Sequence, residues 1–189
     1  MRKTTIIALV LAAGAAALPA QGRGAVPEIR PFAGRYIPMG DQRDFFTDAP
    51  MFGVQTAFEL RPTFHLLGSF AWAPSQSRYA VADDNVNIYM YDVGMELSLI
   101  RRMEPDWKVK PFLGLGAGAR SYDFKSSELA TRTCTSGYGA LGTELQMHRV
   151  AFRVEGLHNV FCYRSPITGV RSRTRNDVGL TFGVAYHLR

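Results

Sequence analysis

Four histidines, two cysteines and a scatter of charged side chains hold what reactive chemistry this chain has. His65, His148, His158 and His187 stand at no metal-ligand spacing of the HExxH kind. They are expected at the surface or in a polar interior, with no metal, cofactor or catalytic centre built from them. Cys134 and Cys162 are the only cysteines, and an even pair in an exported chain suggests a disulfide. The stretches Met39-Gly-Asp-Gln-Arg-Asp and Ala82-Asp-Asp-Asn carry oxygen ligands of the type Ca²⁺ takes. Neither has the spacing of an EF-hand loop, so solvated loops are expected there. Gly114, Gly116 and Gly118 share their composition with a nucleotide-binding fingerprint, but that motif needs a following helix. Alternate glycines on a strand point instead to a crowded interior.

The charges are more informative because of where they fall. Glu59, Arg61, Asp92, Glu96, Lys110, Arg120, Glu144, Arg153 and Glu155 all lie on one face of segments that alternate with period two. Side chains of a strand point alternately to its two faces. In the last segment Val178, Leu180, Phe182, Val184, Tyr186 and Leu188 share one face, and Gly179, Thr181, Gly183, Ala185 and His187 share the other. Phe52, Val54, Thr56, Phe58 and Leu60 oppose Gly53, Gln55, Ala57, Glu59 and Arg61 in the second. Similar alternation marks the third to seventh segments, with Leu67, Gly156 and His158 as exceptions. The first, near residues 28–38, has no assignable faces. One face is thus apolar, and the other holds small residues with charges of both signs. Buried charges are costly unless paired, so a charged, water-containing interior network is expected in place of an apolar core.

The connections follow a second regularity. Links after segments two, four and six are short (residues 61–63, 101–107 and 148–149), and those after one, three, five and seven are longer (39–50, 74–85, 123–133 and 163–175). Short turns at one end and long loops at the other are the asymmetry of outer-membrane barrels, and an even strand number leaves both termini at the turn end. Segments of ~10 residues cross a bilayer when tilted, and closure leaves no unpaired edge in lipid. Phe52, Phe64, Trp72, Tyr89, Trp107 and Tyr186 fall near segment ends, where aromatic girdles stand.

Residues 1–20 read as a secretory signal peptide. Arg2 and Lys3 precede an apolar run over residues 6–18, and Leu18-Pro19-Ala20 places cleavage near Ala20. The barrel domain is then expected over residues 21–189. No later stretch has the ~20 apolar residues of a spanning helix. Composition agrees: 47% hydrophobic and 20% charged residues exclude a disordered chain, and the abundance of Gly and Pro disfavours a helical bundle. The net charge of +6 falls to +4 without Arg2 and Lys3, and the basic residues form no run, so nucleic acid is not an expected partner.

From residue 28 to 189 the chain resembles the small eight-stranded outer-membrane barrel proteins, the OmpX, opacity-protein and OmpA-transmembrane-domain type. The resemblance lies in layout and in the terminal strand Gly179-Leu-Thr-Phe-Gly-Val-Ala-Tyr-His-Leu-Arg, where Arg189 replaces the usual terminal aromatic. It implies an all-β, antiparallel up-and-down transmembrane barrel in a bacterial outer membrane. It also implies contact with outer-membrane lipids and lipopolysaccharide, and insertion by machinery that reads the last strand. The outer-membrane lipid A deacylases share this build and carry a His-x-Ser pair near the C-terminus. Here His158-Asn159-Val160 offers no serine nucleophile, so no enzyme is expected. A non-enzymatic envelope or adhesion role through the four long loops, with an extracellular ligand there, is the expected function. A narrow pore and a soluble lipocalin-like barrel binding an apolar ligand are the alternatives.

Overall fold

The computed structural model describes residues 27–78, 84–99, 101–104, 107–125, 131–163 and 173–186. The expected leader, its cleavage point and His187 lie outside the described residues, and so do Ala82 and Asp83 of the Ala82-Asp-Asp-Asn stretch.

Alternation carries over directly into strands. They are β1 (Glu28–Met39), β2 (Ala49–Arg61), β3 (Phe64–Ser77), β4 (Asp84–Ser98), β5 (Arg101–Glu104), β6 (Trp107–Phe124), β7 (Arg132–Met147), β8 (Val150–Tyr163) and β9 (Arg173–Tyr186). β4 and β5 are two pieces of one stave. Both pair with β6, Ser98 opposite Phe112 and Arg101 opposite Val109, and the Leu99 N–H donates to the Pro111 carbonyl between them. Each stave is antiparallel to its neighbours, and β1 pairs with β9 to close the ring. The described residues therefore form a closed, eight-stave, all-antiparallel barrel. No described helix is long and apolar enough to cross a membrane.

Residues 62–63 and 148–149 make turns at one end, here the turn end, where β5 also gives way to β6. Residues 40–48, 78–83, 125–131 and 164–172 connect strands at the other, the loop end. Strands run further into the loops than the sequence suggests. β3 continues to Ser77, and β5 pairs with β6 where a turn was expected.

The apolar face points outward. Leu60, Val93, Leu97, Leu99, Leu113, Leu115, Leu141, Val154, Leu180 and Phe182 are exposed, Leu141 by 67%. A soluble monomer rarely shows a contiguous apolar patch of more than a few hundred Å², and here the band encircles the molecule. Along β4 and the residue that follows it, the band extends from Tyr89 to Leu99. At about 3.3 Å per residue and a tilt of about 40° that spans roughly 25 Å, the height of a lipid-facing band. Phe52, Trp72 and Tyr89 are neighbours across β2, β3 and β4 at its upper margin, and the Phe52 and Trp72 ring centres lie 6.2 Å apart. Beyond them, the outward positions turn polar at Gln76, Asn85 and Asn87. A soluble lipocalin-like barrel would need the opposite arrangement.

The register also accounts for the glycines of β6. A Cβ on Gly116 would stand 2.5 Å from the Tyr138 ring, and one on Gly118 would stand 2.0 Å from the Tyr91 carbonyl oxygen. The inner wall at these positions touches the facing side chains and the adjacent backbone, so only glycine fits.

Candidate functional site

The lumen is filled in two unlike layers. Nearest the turn end is an ionic layer to which most staves contribute one side chain. Arg30 of β1 is 3.0 Å from Glu28, 3.7 Å from Glu96 and 3.6 Å from Glu144. Its guanidinium also donates to the side-chain amide oxygen of Gln55 on β2. Arg153 of β8 bonds Glu96 across the lumen, and it lies 3.0 Å from Glu155 and 3.8 Å from Glu144. Lys110 of β6 reaches Glu144 at 3.4 Å, and His65 of β3 lies 3.9 Å from Glu96. The Arg153 guanidinium covers the Phe112 ring at 3.4 Å, a cation–π contact that caps the layer. The glutamates interleave with the cations, so each buried charge meets opposite charge, as desolvation demands. His65 faces Glu96, Lys110 faces Glu144, and Glu144 faces Arg153 in the strand registers, so the pleat itself sets these contacts.

A smaller polar chain crosses the middle of the barrel. Arg120 donates to both Asp92 oxygens at 2.8 and 3.0 Å and to Asn159, whose amide donates to Asp177 at 2.6 Å. Beside it a cavity of about 30 Å³ lies among Tyr36, Gln55, Asp92, Arg120, Tyr138 and Asn159. That is room for about one water.

Towards the loop end the interior becomes apolar, contrary to the expectation of a charged interior throughout. Tyr36, Ala49, Met51, Ala73, Val86, Ile88, Tyr122 and Phe161 form a buried cluster. Phe46 completes it from the first loop, only 1% exposed and stacked on Tyr122 at 5.2 Å between ring centres. The segment folds inward through a 3₁₀ turn at Gly40–Asp44 and attaches on two sides. On one, Phe46 bridges to Ser77, the Thr47 N–H donates to the Gln76 carbonyl, and the Arg78 N–H donates to the Phe45 carbonyl. On the other, Arg175 of β9 donates to the Asp41 carbonyl at 2.8 Å and covers the Phe45 ring. Gln42 is fully buried and donates to the Tyr122 hydroxyl at 3.4 Å. The Met39-Gly-Asp-Gln-Arg-Asp stretch is therefore part of a plug. No group of three or more metal-ligating side chains occurs among the described residues.

The expected charges divide accordingly. Glu96, Lys110, Glu144, Arg153 and Glu155 come together in the ionic layer, and Asp92 and Arg120 in the middle chain. Glu59 and Arg61 do not join. The register shifts between them, and both are exposed at the turn end. Cys134 and Cys162 are not joined by a disulfide. Cys134 is buried on the inner face of β7 and Cys162 exposed on the outer face of β8, so their Cβ vectors diverge. Sequence reasoning missed Glu28, Arg30, Asn159 and Asp177 as members of the polar layers. Glu28 and Arg30 alternate with the exposed Ile29 in a segment whose outer face also carries Pro31, Ala33 and Arg35, and this mixture obscured the period. The inturned Gln42 and Phe46 had no sequence signal.

No family model matches the chain, and no curated protein matches it. Solved structures do. Neisserial surface protein A is 10% identical with a TM-score of 0.69, covering 88% of this chain and 100% of that one. The outer membrane protein OprG from Pseudomonas aeruginosa is 14% identical with a TM-score of 0.52, covering 89% and 98%. At these identities the likeness is one of fold, and the fold is that of the small eight-stranded outer-membrane β-barrels.

Proposed function

We propose that this chain is an integral protein of a bacterial outer membrane whose work is done at its external surface, in envelope structure or surface interaction, without catalysis or conduction. The observation that carries the reading is the filled lumen: Phe46 and its apolar neighbours block the loop end, and the interlocked layer around Arg30 and Arg153 blocks the turn end. An eight-stranded barrel leaves an interior only wide enough for side chains, which agrees with a closed channel. The loop end is the external one in this reading, with the termini on the periplasmic side, as in other such barrels. The outward apolar face of β9, with Leu180, Phe182 and Val184, fits the terminal strand that insertion machinery reads. The lipid-facing belt fits contact with outer-membrane lipids and lipopolysaccharide, and the long loops are the candidates for an extracellular ligand.

Heat-modifiability on detergent gels, using protein from purified outer membranes, tests the location. The expected result is a band that migrates differently before and after boiling. Recovery in the soluble periplasmic fraction with no shift would overturn the reading. Planar-bilayer recording tests the closed lumen, with no channel steps above background expected, and steady conductance would restore the pore.

A further inference from the structure

A groove at the loop end lies where the first loop meets the ends of β3 and β4. It holds about 400 Å³ and is lined by Thr47 and Asp48 of the first loop, Pro74 and Gln76 of β3, Asn85 and Asn87 of β4, and Lys125 just after β6. That volume lies in the range of small-molecule sites, ~300–1,000 Å³. Gln76 faces Asn85 and Pro74 faces Asn87 across the β3–β4 ladder, so three amides share one outward surface. The Asn87 carbonyl oxygen accepts the Trp72 indole N–H at 3.0 Å, which leaves its amide hydrogens as donors. Among the described residues the Gln76 and Asn85 side chains have no hydrogen-bond partner. Trp72 stands at the groove's foot, where the apolar band ends.

The surrounding charge is balanced. Asp48 pairs with Arg35 at 3.4 Å, and Asp123 stands opposite Asn87 on β6, against the single ammonium of Lys125. With Asp48 and Asp123 offsetting Arg35 and Lys125, the groove has no net positive charge to draw a phosphate or sulfate. Amides donate and accept at adjacent atoms and so match neighbouring hydroxyls, each of which also does both. Pro74 and the exposed edge of Trp72 offer apolar surface for a C–H face.

We propose that this groove binds an uncharged sugar unit of a neutral oligosaccharide at the level of the lipid headgroups. The assignment rests on the loop end facing outward for its biological setting, but binding can be read on refolded protein regardless of location.

Trp72 and Trp107 are the only tryptophans, and Trp107 lies at the turn end, so Trp107→Phe leaves Trp72 as sole reporter. The probes are neutral oligosaccharides of hexose, heptose or N-acetylhexosamine units, free in solution, and a neutral glycolipid in the same detergent. A heparin disaccharide serves as the anion. A saturable change in Trp72 fluorescence with a neutral probe is expected, weakened at least tenfold by Gln76→Ala with Asn85→Ala and unchanged by Arg149→Ala at the far end. Response to free sugars identifies a soluble glycan as the source, and response to the glycolipid alone identifies the membrane. Three outcomes overturn the proposal: no saturable change with any neutral probe, an undiminished response in the double variant, or tighter binding of heparin. Should the double variant lose its gel shift, Gln76→Glu replaces it and is expected to weaken neutral-sugar binding by a similar factor. Absence of sugar binding to the protein with Gln76 and Asn85 intact and its gel shift preserved would reject the groove and leave the barrel assignment standing.

Discussion

The two halves of the lumen solve the same packing problem by opposite means. Near the turns, charges borne on strands neutralise one another around Arg30 and Arg153, each placed by the pleat and the register. Near the loops, aromatic and aliphatic side chains fill the space and a loop supplies the last piece, Phe46. The ionic half is a network in which any single deletion upsets the balance of several buried charges. The apolar half is a contact surface that a loop can leave without exposing a charge. Such a barrel can thus hold its shape at one end and keep the other end adaptable.

This difference is open to test by urea unfolding of the refolded barrel. The largest effect is expected from Glu96→Ala, which takes a carboxylate partner from Arg153, Arg30 and His65 at once and should cost ~3–5 kcal/mol, as breaking a buried pair does. Replacing both partners, Glu96→Leu with Arg153→Met, should not recover that loss in full, because Glu155 then loses its own cation. A loss below about 1 kcal/mol in the single variant would mean that water screens the layer as it does a surface pair. Phe46→Ala should follow at ~3 kcal/mol, the low end for a buried aromatic because the loop can relax outward. It should also raise proteolytic cutting within residues 40–48, and an unchanged digestion rate would show that the plug is held by Arg175 and the Ser77 bridge alone. Gln42→Ala removes one hydrogen bond to Tyr122 and should cost about 1 kcal/mol. Glu59→Gln, on an exposed side chain outside the ionic layer, should stay within about 0.5 kcal/mol. A large effect there would extend the network to the rim.

How far the sequence could be read follows from the same contrast. Seven of the staves were legible because each turns an apolar face to lipid and a small or charged face inward, and a period of two survives any detail of packing. The inward charges on β4, β6, β7 and β8 followed from it. Arg30 was hidden because Pro31, Ala33 and Arg35 dilute the outer face of β1. Arg61 was misplaced because the register slips after Glu59, and a one-residue shift reverses the face. The disulfide failed for a related reason. Cys134 and Cys162 lie near each other along neighbouring strands, but their parities put them on opposite faces. The groove drew nothing from pattern, since its amides come from two strands and its rim from a loop and a third.

The sequence by itself determined the number of staves, the end that carries the long loops and the face of most side chains, because alternation and turn spacing are local properties of the chain. Tertiary structure alone decided which charges meet across the lumen, that the first loop turns inward to seal it, and that three outward amides flank one groove. Those outcomes depend on barrel closure and register, which bring together residues far apart in the chain, and no local pattern encodes a distance across a ring.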